Sequence, residues 1–143
     1  MSGIIRPPTS GGGGGGGTPP ATLVRNYTAG VSVLDVVYQT GTGAVAPTSA
    51  VSIATTPALG IVTQLDVPVV GSCYVQYDGD VMGFSGLTAG AVYMISKVPG
   101  QILWESDTGN AGYPTVPGNV VQAIGIAMSP SVLQVAIQDQ EEL

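Results

Sequence analysis

The chain has 143 residues, enough for one domain of ordinary size; 44% are hydrophobic and only 8% are charged, against the ~25% charged residues usual in soluble globular proteins. That balance excludes the high-charge, low-hydrophobicity signature of disorder. The net charge is −6, and Arg6, Arg25 and Lys97 are the three basic residues, too few and too scattered to neutralise a run of phosphates or to seek an anionic lipid surface, so neither nucleic acid nor membrane is an expected partner.

Residues 1–20 read as an extended arm rich in Gly and Pro. Pro7-Pro8 is extended, residues 11–17 are an unbroken glycine run, and Pro19-Pro20 closes it. Seven glycines reach about 23 Å at ~3.3 Å per residue. One reading is a flexible tether. The sharper one is a docking arm, with Ile4 and Ile5 as apolar anchors and Arg6, Pro7 and Pro8 beside them. The N-terminus has no apolar core of the kind a signal peptide needs, and no apolar run approaches the ~20 residues of a membrane helix. A soluble protein made in the cytoplasm is expected.

Residues 21–143 read as a β-domain. With 22 Gly and 11 Pro, turns should be frequent and helix nearly absent. One Phe and one Trp leave the core to Val, Ile, Leu and Ala, which suits a small β-barrel or β-sandwich. A core that thin gains from burying further area against a partner. Residues 23–27 are a first strand and residues 31–39 a second, with a weak strand or irregular loop over 44–53. Residues 57–64 are a strand in which Gly60 marks a close approach of another backbone or a bulky side chain. Residues 69–77 follow as the best strand by composition. Asp78-Gly79-Asp80 reads as a hairpin-type turn, with residues 81–84 pairing after it. Residues 91–96 and 101–105 flank Pro99-Gly100 as a hairpin. Residues 107–118 form a long loop, residues 120–128 and 132–138 complete the sheet, and 139–143 are an acidic tail.

A weak internal repeat is visible. Thr28-Ala29-Gly30 recurs as Thr88-Ala89-Gly90, Val37-Tyr38 as Val92-Tyr93, and Ala58-Leu59-Gly60-Ile61-Val62 as Ala123-Ile124-Gly125-Ile126-Ala127. The order is conserved along the chain while the spacings differ, which fits two similar β-lobes packed as one body. The competing explanation is recurrence by composition alone.

No catalytic, cofactor-binding or metal-ligating residues are expected. The chain lacks His and has one Cys, so His-based acid–base chemistry and Cys/His zinc sites are excluded. Cys73 should be a small buried hydrophobe on the face of Val75 and Tyr77. Asp78 with Asp80, and Glu105 with Asp107, read as solvated turn carboxylates; Lys97 precedes a turn with no sign of an apolar pocket. Trp104 is expected as a core or interface anchor. The glycine run lacks the Lys-Ser/Thr of a phosphate loop and no helix follows it.

From Gly11 onward the chain resembles small β-rich proteins and modules of tailed bacteriophages, which occur as capsid decoration (cement) proteins and as terminal modules of head and tail fibres. The resemblance rests on the glycine run with Tyr27-Thr28-Ala29-Gly30, on Asp35-Val36-Val37-Tyr38 and on Ala58-Leu59-Gly60-Ile61-Val62. It continues through Gly86-Leu87-Thr88-Ala89-Gly90-Ala91-Val92-Tyr93, Pro99-Gly100 and Val120-Val121-Gln122-Ala123-Ile124-Gly125-Ile126-Ala127. It implies a homotrimer on the virion surface, with the major capsid protein as partner, no cofactor and no catalysis. Fibre modules usually end a much longer chain, so Met1 favours a decoration protein. The alternatives are a fibre or adaptor module of the same particle and a carbohydrate-binding β-module using Trp104, Tyr113 and Tyr93.

Overall fold

The structure, a computed structural model, describes residues 21–143; the expected arm, with Ile4, Ile5, Arg6, Pro7 and Pro8, lies outside the described residues. The described chain is all-β, as its composition demands. In order, the strands are β1 (Thr22–Asn26), β2 (Val36–Gln39), β3 (Val45–Pro47), β4 (Gly60–Leu65), β5 (Ser72–Gln76), β6 (Asp78–Met82), β7 (Val92–Ile95), β8 (Ile102–Trp104), β9 (Val120–Val121), β10 (Ala123–Ser129), β11 (Val132–Ala136) and β12 (Glu141–Glu142). Among the described residues, helix is confined to one 3-10 turn, Ile53–Thr55, whose start is capped by the Ser52 side chain.

The strands form two antiparallel five-stranded sheets, β1-β5-β4-β2-β3 and β6-β11-β10-β7-β8, and a small β12-β9 ribbon. Numbered by chain order within each sheet, both five-stranded sheets read 1-5-4-2-3. The internal repeat is therefore a repeat of topology, and the pairing makes it residue-specific. Ile61 pairs with Val36 and Gln76, just as Ile126 pairs with Val92 and Gln134. Each central pair carries a register shift at the same place, between Val62 and Gln64 in one lobe and between Ala127 and Ser129 in the other. Gly60 and Gly125 coincide. A Cβ on Gly60 would lie 2.5 Å from the Gln76 carbonyl oxygen, and one on Gly125 would overlap the Gln134 carbonyl. Both strands thus need glycine where the neighbouring backbone comes close.

Hydrogen bonding corrects two of the sequence matches. Asp35 N–H donates to the Ser32 carbonyl and Ala91 N–H to the Thr88 carbonyl, at 3.1 and 3.0 Å. Ser32-Val33-Leu34 is therefore the counterpart of Thr88-Ala89-Gly90. The pairings above likewise align Val36-Val37, and not Val37-Tyr38, with Val92-Tyr93. Leu34 holds φ +75° where the second lobe has Gly90 at +85°. A β-turn of this kind needs a left-handed third residue, and in the first lobe a leucine supplies it. Thr28-Ala29-Gly30 is an additional turn just before it.

The two lobes build their cores differently. In the first, Val37, Val45, Val62, Cys73 and Val75 line the inner face of the sheet and are fully buried. A parallel bridge between Tyr27 and Val45 links the chain after β1 to β3 at the opposite edge of the sheet. In the second lobe, the inner face of the sheet (Val81, Tyr93, Ile124, Leu133, Val135) shares one buried cluster with Val36 and Ile61 from the outer face of the first. Full burial of such side chains stabilises by ~1.5–3 kcal/mol each, so this joint core binds the lobes into one domain. Polar ties reinforce it. The Gln122 amide accepts from Ala58 N–H at 2.9 Å and donates to the Gln138 carbonyl at 2.9 Å. Asn119 accepts from Thr115 and Val116 N–H and donates to the Val51 carbonyl.

Three further expectations are revised. The second strand is only Val36–Gln39, because the turn at Leu34 precedes it. Asp78-Gly79-Asp80 is not a hairpin turn but the start of β6, which pairs with β11. Gly79 takes φ +86° within that strand, opposite Val135. The acidic tail is docked: Glu141 and Glu142 pair with Val121 and Val120, and Leu143 bonds through its amide and carbonyl to Asn119 and Gly118.

Candidate functional site

The carboxylates do not converge. Asp78 and Asp80 both lie on β6, exposed, with their backbone carbonyls accepting from the Gln76 side chain at 2.8 and 3.0 Å. Among the described residues, no group of three or more Cys, Asp or Glu side chains is placed to hold a metal ion. Asp107 accepts from the Asn110 side-chain amide within the long loop. Lys97 sits beside that loop, its N–H donating to the Gly112 carbonyl.

Two carboxylates have perturbed acidity for local reasons. Asp66 accepts from Gly71 N–H at 3.0 Å and from the Tyr27 hydroxyl at 2.6 Å. These bonds, the Gly71 one first, hold its carboxyl below the usual range, and the bond to Asp66 raises the Tyr27 phenol. Asp35 is pushed up by burial, partly offset by the Ser32 N–H it accepts at 2.9 Å. Its carboxylate packs against Gly100 at the junction of the lobes; a Cβ there would lie 2.7 Å from it. Cys73 is fully buried as expected, and burial raises its thiol, which keeps it in the unreactive protonated form.

The aromatic residues are dispersed in role. Tyr93 is buried, and its hydroxyl accepts from Thr88 N–H at 2.8 Å. Trp104, its cross-strand partner on the edge strand β8, is 40% exposed. Tyr113 donates to the Glu105 carbonyl at 2.9 Å.

What the fold does assemble is apolar surface. Side chains alternate along strands, so Val92, Ile126 and Gln134 share the outer face of the second sheet. Val132 and Met82, in line with Ser129, form the next row, and Met128 lies in the register shift beside it. Ile126 is 41% exposed, Met128 54% and Met82 72%, and Val92 and Val132 are half-buried. Isolated exposed apolar residues are ordinary, but a contiguous patch marks an interaction surface. A second feature is an open groove of about 640 Å³ between the lobes, lined by Leu23, Ala58, Leu59, Tyr77, Ala136 and Ile137 together with Asp78 and Gln138. It lies beside the start of β1, where Ala21 accepts from Tyr77 N–H. Sequence reading missed the patch, although β10 offered the signal: Ile126 and Met128 are apolar on the side opposite Ala127, so the strand is apolar on both faces. No helix among the described residues is long and apolar enough to cross a membrane. Comparison of the chain with protein families, with curated proteins and with solved structures returned no match in any of the three.

Proposed function

We propose that this chain is a structural virion protein that binds the outside of a bacteriophage capsid and stabilises it, as a homotrimer with the major capsid protein as its partner. What supports the reading is a small β-domain with solvent-facing apolar surface on the second sheet, together with the resemblance of its turn-and-strand stretches to phage β-modules. A protein that clamps a shell needs surfaces to bury and needs no reactive side chain. Binding only to the assembled shell stabilises that shell by mass action, as any native-state ligand does. Many copies on a symmetric lattice add avidity. The acidic balance keeps the outer surface soluble and repels it from packaged DNA. In this reading the arm, through Ile4, Ile5, Arg6, Pro7 and Pro8, ties each domain to the lattice, with the glycine run as leash.

The test is a reconstruction by electron cryo-microscopy of particles carrying the protein, with copies counted by location. Density at every local or strict threefold axis supports decoration. Density confined to a vertex, fibre or tail replaces it with an adaptor role, and particles without density overturn a virion role.

A further inference from the structure

The two lobes meet asymmetrically. The outer face of the first sheet, at Val36 and Ile61, packs into the core formed by the inner face of the second, at Val81, Ile124 and Val135. Unlike faces meet, so the contact is heterologous, of the head-to-tail kind. A heterologous contact between two repeats leaves one face of each kind unused. The unused outer face is that of the second sheet, where Val92 and Ile126 occupy the positions of Val36 and Ile61. The latter two are each 1% exposed, whereas Ile126 is 41% exposed. The unused inner positions are those of the first lobe. By strand pairing, Leu23, Leu59 and Tyr77 correspond to Val81, Ile124 and Val135. Those three are at most 2% exposed, while Tyr77 is 44% exposed. Val37, Val45, Val62, Cys73 and Val75 on the first lobe's inner face are already buried in its own core. Leu23, Leu59 and Tyr77 remain, and all three line the groove between the lobes.

We propose that this groove receives the outer face of the second sheet from another copy of the same chain, at Val92 and Ile126, so that copies join head to tail. The occupant follows from the fold itself. The chain already makes this kind of contact once, within itself, and leaves open the outer face at Ile126 and the groove at Leu23, Leu59 and Tyr77. A heterologous contact that closes on itself gives a ring, the arrangement a trimer requires. The inference deepens the assembly part of the proposed function, but its test involves no capsid, so the two can fail separately.

The experiment uses the full chain and two single variants at solvent-facing positions. Ile126→Asp blocks the outer face and Tyr77→Asp blocks the groove. Circular dichroism and melting first establish that both are folded. Mass is then read by light scattering on a sizing column at tens of micromolar. The wild type is expected as a closed oligomer, and each variant alone as a monomer, its association weakened by more than ~10-fold as for loss of an interface anchor. Mixing the variants restores one intact contact, between the free outer face of Tyr77→Asp and the free groove of Ile126→Asp. The mixture should therefore run as a one-to-one dimer. A monomeric wild type, an oligomer that survives either substitution, or a mixture that stays monomeric would each overturn the proposal.

Discussion

Replacing Gly60 by Ala puts a methyl group 2.5 Å from the Gln76 carbonyl oxygen and 2.7 Å from Val75 Cγ1. Neither neighbour yields easily. The carbonyl belongs to the β4–β5 ladder, and Val75 is fully buried in the first core. Forcing a methyl into such a site costs ~1–3 kcal/mol. Against this, Ala restricts the unfolded chain more than Gly does, which returns ~0.4–1 kcal/mol. The net expectation is a loss of about 1–2 kcal/mol. For a domain of this size 1 kcal/mol moves the melting temperature by ~3–5 °C, so Gly60→Ala should melt roughly 3–10 °C below wild type by calorimetry. Gly125→Ala, at the same place in the second lobe, should lose a similar amount, and the two losses should add within ~0.5 kcal/mol because the sites lie in different sheets. Gly109→Ala is the control: a Cβ there meets nothing within 4 Å, and the variant should stay within ~0.5 kcal/mol of wild type. If Gly60→Ala melted with the wild type, the close approach of the strands at this position would be wrong.

Asp35 and Asp66 should respond to pH in opposite senses. A carboxyl raised on folding is a stability cost that is present above its folded pKa and disappears as pH falls through that value; Asp35→Asn should therefore raise the melting temperature at neutral pH, with the gap closing on acidification. A carboxyl lowered on folding contributes stability present above its unfolded pKa and lost as pH falls through the folded value; Asp66→Asn should lower the melting temperature at neutral pH and converge with wild type in strong acid. Thr48 Oγ is buried without a hydrogen-bond partner among the described residues. Thr48→Val, which removes that polar atom at constant shape, should raise stability by ~1 kcal/mol by denaturant titration, and a loss would mean that the hydroxyl is bonded after all. Cys73 should resist thiol reagents in the native protein and react fully in denaturant; rapid native labelling would contradict its burial. Deleting residues 1–17 should leave the melting transition of the β-domain in place while weakening capsid binding, measured by co-sedimentation; undiminished binding would remove the arm's role.

The all-β class was legible because it depends on composition and turn residues, which are local. The Pro99-Gly100 hairpin and the strand around Gly60 were legible for the same reason. The lobe equivalence was half visible: the Ala58–Val62 match aligns with Ala123–Ala127 in three dimensions, whereas the Thr-Ala-Gly match was out of register. A left-handed turn residue is recognised in sequence when it is Gly, and at Leu34 it is not. Tertiary hydrogen bonds also converted apparent punctuation into strand at Gly79 and an apparent tail into strand at Glu141. The apolar face of the second sheet was unreadable for a different reason. Whether Ile126 is inside or outside depends on what covers it, and its counterpart Ile61 has the same local pattern with the opposite fate.

A single residue, Tyr77, separates β5 from β6, so the backbone passes from one sheet into the other without slack. Each end is laddered, β5 to β1 and β4 and β6 to β11. Such a junction behaves as a stiff coupling. Tension applied to the first lobe reaches the second as shear along paired strands, where many hydrogen bonds share the load, and is not absorbed by a hinge. A tether pulling at the start of β1 would therefore load both lobes at once.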